Sequence, residues 1–319
     1  MAQQETQPVQ EETPQQTIMA LAVSPDVAHD GTIYATTSEG ALLRSTNRGT
    51  SWARVSLPGS GLAMSAAVSP TYHQDGLVWV SLPEGLIVWS ADHGQTWRDS
   101  YITRTASAAS VLAPSPEITT DGLILAATLD DGIMRSLDRG RTWSPANFGL
   151  LDLKTLGVVL CPNFASEQIA LASTESALFR SRNGGLSWKE VGFWEDAVQT
   201  AVFSPTFAKD RRAWVGTEQT GLLASEDGAL TWKAVESFPK VSINVLSFVT
   251  LQKTWLLVGT SEGIHASNDL GKTWTIVLPD VNVLALSVSG SGDGTWLFAS
   301  TEDDGLYASQ GTLEHWTQL

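Results

Sequence analysis

The chain has 319 residues, of which 42% are hydrophobic and 17% charged. Its 34 acidic and 19 basic side chains leave a net charge of -15, a field that repels phosphate backbones and anionic membranes and argues against nucleic acid as a partner. A single cysteine, Cys161, allows no intrachain disulfide and no cysteine-rich metal site.

The length exceeds one ordinary compact domain, so either two domains or a repetitive architecture is expected. Abundant Thr, Ser, Gly and Trp favour strands and tight turns over helices.

Residues 1–16, "MAQQETQPVQEETPQQ", have the composition of a disordered tail. They carry neither a basic n-region nor an apolar h-region, and no later stretch reaches the roughly 18 apolar residues of a membrane span. As written, the chain reads as cytoplasmic. The same Gln, Glu and Pro-rich start also fits the tether left after a signal is removed, which would make the protein exported or lumenal.

From residue 17 onward one unit recurs. Its closing segment is "STNRGTSW" (45–52), then "SADHGQTW" (90–97), "SLDRGRTW" (136–143), "SRNGGLSW" (181–188), "SEDGALTW" (225–232), "SNDLGKTW" (267–274) and a worn "SQGTLEHW" (309–316). The closing tryptophans are spaced by 45, 46, 45, 44, 42 and 42 residues, a period that marks one supersecondary unit stacked seven times.

The third unit parses as "SVLAPSP", "EITTDG", "LILAAT", "LDDG", "IMRS", "LDRGR" and "TWSPA": four short strands, a to d, joined by three turns. In the first turn Pro25, Pro70, Pro116, Pro162 and Pro205 are followed five residues later by Asp30, Asp75, Asp121, Glu167 and Asp210. Strand b carries one large apolar residue at a fixed slot, namely Tyr34, Trp79, Leu125, Leu171, Trp214, Leu257 and Phe298, expected to fill the space between neighbouring sheets.

Four strands per unit, seven times, predict an all-β fold: a seven-bladed β-propeller of four antiparallel strands per blade over residues 17–319. Radial stacking lets each sheet cover the next and closes the ring without a long free edge. Every repeat is a complete blade, so strand a of blade one should begin near Thr17 and blade seven should end in "HWTQL", with no split blade as a latch.

The Ser-x-Asp-x-Gly-x-Thr-Trp segment resembles the Asp-box, or bacterial neuraminidase repeat, of sialidase-type propellers. That resemblance implies a box between strands c and d whose Asp braces the hairpin. The chemistry agrees. An Asx-type side chain accepts backbone N–H groups two residues on, the glycine supplies a positive φ, and the Trp packs under the sheet. Asn47 and Asn183 replace Asp and Gly311 stands in the last box, as a turn brace tolerates and a catalytic acid would not. Asp92, Asp138, Asp227 and Asp269 are accordingly read as structural.

The residue before each box serine is Arg44, Trp89, Arg135 and Arg180 in blades one to four, then Ala224, Ala266 and Ala308. Packing against the neighbouring blade and membership of a site are both open to these arginines.

In a propeller the d–a and b–c loops share one face and the a–b and c–d loops the other. Sites in proteins with this box sit mostly on the first, here called the top. Every b–c turn offers a carboxylate: Glu39, Glu84, Asp130 with Asp131, Glu175, Glu218, Glu262, and Glu302 with Asp303 and Asp304. Arg48, Arg139, Arg141, Arg182, Lys209, Arg211, Arg212 and Lys272 fall in bottom-face turns, so a two-sided molecule is expected. The acidic turns serve either solubility or the docking of a basic protein partner. The d–a loops add "NFGLLDLK" (147–154) and "GFWEDA" (192–197), whose Phe148, Leu150, Leu151, Phe193 and Trp194 either anchor an interface or tuck over the blade junctions.

An enzyme finds little support. The resemblance to sialidases implies an arginine triad, a Tyr and Glu nucleophile pair and an Arg-Ile-Pro signature, which "TIMALAVSP" lacks. Of four tyrosines, Tyr34, Tyr72, Tyr101 and Tyr307, the first occupies the interblade slot. Xyloglucan-cleaving relatives set two propellers across a cleft, and this chain has one. A two-carboxylate hydrolase needs acids roughly 5 to 10 Å apart, and Asp152, Glu195 and Asp196 are the best inward candidates. His29, His73, His93, His265 and His315 lack ligand spacing, strand a is small or apolar, and no Gly-rich phosphate loop opens a helix, so neither metal nor cofactor is expected.

The chain is also similar to the photosystem II stability/assembly factor proteins, single seven-bladed propellers that act as assembly chaperones, although their arginine-rich patch has no counterpart here. The expectation is a non-enzymatic scaffold or assembly-factor-like subunit that engages a basic partner through Glu39, Glu84, Asp130, Asp131, Glu175, Glu218, Glu262, Asp303, Asp304, Phe148, Phe193 and Trp194. The alternative is a glycan-binding or glycan-cleaving propeller.

Overall fold

Strand b of each repeat is a short run of apolar and small residues, and such a run is stable only if both faces are covered. Ile33–Thr37, Leu77–Ser81, Ile124–Thr128, Ala170–Thr174 and Ala213–Thr217 are buried at every position. The computed structural model, which describes residues 16–319 except 60, 103–106, 195, 291 and 304 and the side chains of Phe193 and Asp293, covers them by stacking seven sheets in a ring. Residues 1–15, most of the expected tail, lie outside the described residues.

Each sheet contains four consecutive antiparallel strands in sequence order. The inner strands, a, are Ile18–Val23, Ser65–Val68, Ala109–Pro114, Thr155–Leu160, Val198–Phe203, Ile243–Thr250 and Val283–Ser289. The fold is therefore the expected seven-bladed β-propeller. No helix among the described residues is long and apolar enough to cross a membrane.

The a–b connection is more ordered than a plain turn. In five blades it winds into one helical turn: Val27–Asp30, Tyr72–Asp75, Ile118–Asp121, Phe164–Glu167 and Phe207–Asp210. The serine ending strand a explains the repeated acid, because Ser24, Ser69 and Ser115 donate to Asp30, Asp75 and Asp121 at 2.6, 2.7 and 2.6 Å. The other carboxylate oxygen accepts the N–H that opens strand b, as at Thr32, 2.7 Å, and Leu77, 3.0 Å. Blade four substitutes Cys161 and Glu167 together, which frees Glu167 to pair with Arg211 of blade five at 3.0 Å.

The strand b slot is the interblade wedge. Tyr34, Trp79, Leu125, Leu171, Trp214, Leu257 and Phe298 are all at most 1% exposed. The box glycine of the next blade lies against the wedge, and a Cβ on Gly140 would fall 2.7 Å from Trp79 Nε1 and one on Gly185 2.8 Å from Leu125. Glycine is required here for a second reason, since both adopt positive φ (82° and 80°).

The ring closes between complete blades. Strand a of blade one starts at Ile18, and blade seven ends with Thr317–Gln318 as its own fourth strand. Ile18, Val23, Val27 and Ile33 share one apolar cluster with Phe298, Leu306 and Ala308 of blade seven. Ser289 Oγ donates to the Ser24 carbonyl at 2.6 Å and Thr17 Oγ1 to that of Glu302 at 3.1 Å.

Candidate functional site

The box builds a hairpin from its own side chains. In blade three Ser136 Oγ donates to Asp138 Oδ1 (2.8 Å) and accepts the N–H of Gly140 (2.8 Å). Asp138 Oδ1 accepts the N–H groups of Arg141 (3.0 Å) and Thr142 (2.8 Å), and Oδ2 accepts Thr142 Oγ1 (2.6 Å). The brace thus reaches three and four residues on, not two, because the residue before the glycine also adopts positive φ: Arg48, His93, Arg139 and Leu270 lie at 60° to 64°. Two consecutive left-handed residues carry the next N–H groups round to the carboxylate.

Asp92, Asp227 and Asp269 repeat this pattern. Asn47 and Asn183 keep the accepting oxygen, at 2.9 and 3.0 Å from the N–H groups of Ser51 and Ser187, and reverse the second bond by donating Nδ2 to the serine hydroxyl. Bonds from Ser90 and Thr96 hold the Asp92 carboxyl down at about 2. Burial opposes the charge of Asp138, and donation from Thr142, Ser136 and Arg141 outweighs it, so that carboxyl too lies below the ordinary range. Acids held this firmly ionised do not serve as proton donors near neutral pH.

The arginines before the boxes pack against their neighbours. Arg135 Nε donates to the Gly184 carbonyl at 2.9 Å and Arg180 Nε to that of Gly228 at 2.8 Å, each reaching the next blade's box. Where the wedge is polar-tipped it makes this bond itself: Tyr34 OH donates to the His93 carbonyl (3.0 Å) and Trp79 Nε1 to that of Arg139 (2.9 Å). Trp89 is flanked by Arg98 and, from the next box, Arg141, both 5.3 Å from its ring.

Backbone bonds define the two faces. On the bottom, the box N–H groups of Arg48, His93, Arg139 and Gly184 donate to the carbonyls capping the a–b turns, Gly31, Gly76, Gly122 and Gln168. On the top, d–a residues Ala63, Ile102, Trp194 and Asp280 donate to b–c residues Gly40, Gly85, Ser176 and Glu262. Glu39, Glu84, Asp130, Glu175, Glu218, Glu262, Glu302 and Asp303 are exposed in the b–c turns, one or more per blade, and Asp131 is half-buried beside them. Asp304 lies outside the described residues.

Among the described residues the b–c and d–a segments carry thirteen carboxylates and two cations, Lys154 and Lys240, while Arg104 of the blade-two d–a segment lies outside them. The a–b and c–d segments also carry thirteen, offset by nine Lys and Arg side chains. Several of those cations are engaged: Arg212 pairs with Glu226 at 2.8 Å, while Arg48 and Arg139 bond helical carbonyls. The bottom is therefore mixed rather than positive, and the asymmetry comes from the scarcity of cations on top.

The loop aromatics diverge. Trp194 lies over the backbone of Gly192, where any Cβ would collide with its ring, and packs against the core of blades three to five. Leu150 is buried. Phe148 and Leu151 are 82% and 81% exposed. Phe148 departs from a simple top placement, since its backbone bridges Ser187 in the box turn of blade four. The Phe193 side chain and Glu195 lie outside the described residues. Leu129, in the same b–c turn as Asp130 and Asp131, is exposed as well, a feature that a lone Leu in a turn does not signal.

The described acids considered for hydrolysis, Asp196 and Asp152, both accept backbone N–H groups. Asp196 is buried and accepts the N–H groups of Gln219 (3.1 Å) and Thr220 (2.6 Å), bracing the b–c turn of blade five. Burial opposes its charge, but these donors keep its carboxyl below the usual range, whereas a general acid needs it raised. Asp152 accepts the Lys154 N–H at 3.0 Å. Tyr34 and Tyr72 are fully buried against each other, 3.0 Å between hydroxyls, and burial pushes both phenols up. A cavity of about 220 Å³ against the inner strands of blades three to five is lined by Val111, Val159, Gln199, Thr200 and Ala201 among others, with no titratable side chain. Among the described residues no group of three His, Cys, Asp or Glu side chains could hold a metal.

Together these features define a single-ring, seven-bladed propeller with a carboxylate-rich top. No family model matches the chain. Among curated proteins, 76 residues are 33% identical to the oligoxyloglucan-reducing end-specific xyloglucanase of Emericella nidulans, a match covering 22% of this chain and 9% of that enzyme. Among solved structures it resembles an ancestral GH74 enzyme (TM-score 0.75, 14% identity, 96% of this chain and 46% of that one). It also resembles the GH74 xyloglucanase of Xanthomonas campestris (0.70, 19%, 95% and 54%). A third similar structure is YCF48 bound to D1 peptide (0.69, 15%, 97% and 98%). At these identities the likeness is one of fold. The chain spans about half of each GH74 chain and nearly all of YCF48.

Proposed function

We propose that this propeller is a non-enzymatic protein-interaction module, of the scaffold or assembly-factor kind, which engages a partner with a basic surface through its top face. The observation that carries this reading is the thirteen carboxylates against two cations there among the described residues. Such a field steers and orients a complementary partner and penalises acidic ones. The full-length likeness to YCF48, whose structure holds a peptide, supports the same reading. So does the occupation of Asp196, Tyr34 and Tyr72 in structural bonds.

Affinity capture from the native lysate onto the immobilised chain, at low salt and again at about 1 M, where the screening length falls to about 3 Å, tests it. The expected result is a protein with a basic surface that is released by salt. Salt-insensitive capture, or none, counts against the reading.

The segment identical at 33% to a xyloglucanase favours a second reading, a glycan-binding or glycan-cleaving propeller. Release of reducing ends from xyloglucan or its oligosaccharides would establish cleavage and their binding without release would establish a glycan-binding role, whereas neither, under conditions where the chain is folded, would remove the reading.

A further inference from the structure

Blade three carries a composite surface built from its b–c turn and d–a loop. Its d–a loop is stitched to its b–c turn: Asn147 Nδ2 donates to the Asp131 carbonyl (2.8 Å), Asn147 Oδ1 accepts the Ile133 N–H (2.8 Å), and the Gly132 N–H donates to Leu153 O (2.8 Å). Gly132 is held to this role, because a Cβ there would lie 2.5 Å from Asn147 Oδ1. A turn closed by the Leu150 N–H on the Asn147 carbonyl (2.9 Å) and the bridge from Phe148 to Ser187 fix the first half of the loop.

On this braced base stand the two most exposed large apolar side chains of the described residues, Phe148 at 82% and Leu151 at 81%, whereas the next, Tyr101 and Leu137, are at 57%. Leu129 and Leu153, 42% and 41% exposed, belong to the same pair of segments. So do three carboxylates, Asp130, Asp131 and Asp152, against one cation, Lys154.

We infer that the b–c turn and d–a loop of blade three form the anchor point of the interface, and that the occupant is a peptide segment of a partner protein in which an apolar side chain is flanked by Lys or Arg. The inference rests on the acidic-face reading above and locates its energetic centre. Phe148 and Leu151 offer apolar area that costs little ordering entropy because the loop is already braced. The carboxylates of the same two segments, Asp130, Asp131 and Asp152, select basic flanks and exclude acidic segments.

Short random peptides displayed on phage and selected on the immobilised full chain supply the probe, and selected peptides are then titrated against variants. The expected sequences combine Leu, Ile, Phe or Trp with neighbouring Lys or Arg. The pair Phe148→Ser with Leu151→Ser should weaken their binding by about 10-fold or more at an unchanged melting temperature. Asp130→Asn with Asp152→Asn should weaken it and flatten its salt dependence. Basic peptides that bind the Phe148→Ser, Leu151→Ser chain undiminished, yet are lost with Glu84→Gln, Glu218→Gln and Glu262→Gln, would overturn the anchor and leave the acidic-face reading standing. Selection of acidic or uncharged sequences, or of none, would overturn both. A concentration-dependent dimer dispersed by the Phe148→Ser, Leu151→Ser pair would assign the surface to a second copy of the chain and also overturn the peptide proposal.

Discussion

The indole N–H of Trp79 donates to the carbonyl of Arg139 at 2.9 Å, joining the wedge of blade two to the box of blade three. The counterpart wedge Trp214, 1% exposed, has no partner for its Nε1 among the described residues. Two tryptophans with one role in the repeat therefore differ by one hydrogen bond. Junctions from blade one to blade five each carry such a bond, from Tyr34, Trp79, Arg135 or Arg180. After that the residue before the box is alanine.

Trp79→Phe and Trp214→Phe remove similar volume, but only the first takes the donor from a part-buried carbonyl, while the second deletes an unpaired donor. Trp79→Phe should cost more stability by about 1–3 kcal/mol, measured by chemical denaturation. Equal losses would mean that the bond at this junction is replaced by water.

Gly140→Ala should destabilise the chain by about 2 kcal/mol or more, because the residue needs positive φ and the new methyl would meet the Trp79 indole. Ala229, the same box position in blade five, already sits at φ 65° with its methyl buried. There, Ala229→Gly relieves strain but loses packing and stiffness, so a change within about 1 kcal/mol is expected. Thermal or denaturant unfolding of the two variants distinguishes a position that must be glycine from one that has adapted.

Acid should loosen the aspartate boxes and spare the asparagine ones. Asp92, held at about 2 against an ordinary 3.8, takes up its proton less readily when folded than when unfolded. Its contribution is complete above about pH 4 and is lost as the pH falls toward about 2. Asp92→Asn should therefore make stability less dependent on pH in that window, as followed by denaturation at a series of pH values. A wild-type slope retained in the variant would place the acid sensitivity elsewhere.

The fold was legible because seven boxes, seven wedges and five proline–acid turns recur in phase, and each makes local physical sense alone. The one-turn helices between strands a and b were not, since four residues are too few to display a 3.6-residue period. The reach of Asp138 to the third and fourth residues depends on Arg139 adopting positive φ, which an arginine does not advertise. At the site, the carboxylate of every b–c turn could be read from the turn sequences. The fates of Phe148 and Trp194 could not, because both are decided by tertiary packing: Trp194 settles on Gly192, and Phe148 is held outward by a bridge to the next blade. Asp196, an inward candidate by sequence, is a turn brace because the fold brings the backbone of Gln219 and Thr220 to it from the following hairpin.

The most direct test of the acidic-face account is the affinity of the captured partner for the wild-type chain and for one carrying Glu39→Gln, Glu84→Gln, Glu175→Gln, Glu218→Gln and Glu262→Gln, each measured at two ionic strengths. All five side chains are exposed, so the fold should persist. The account predicts wild-type affinity that falls steeply with salt, and a variant that binds at least about 10-fold more weakly at low salt with a nearly flat dependence. Superimposable affinities at both ionic strengths would contradict it.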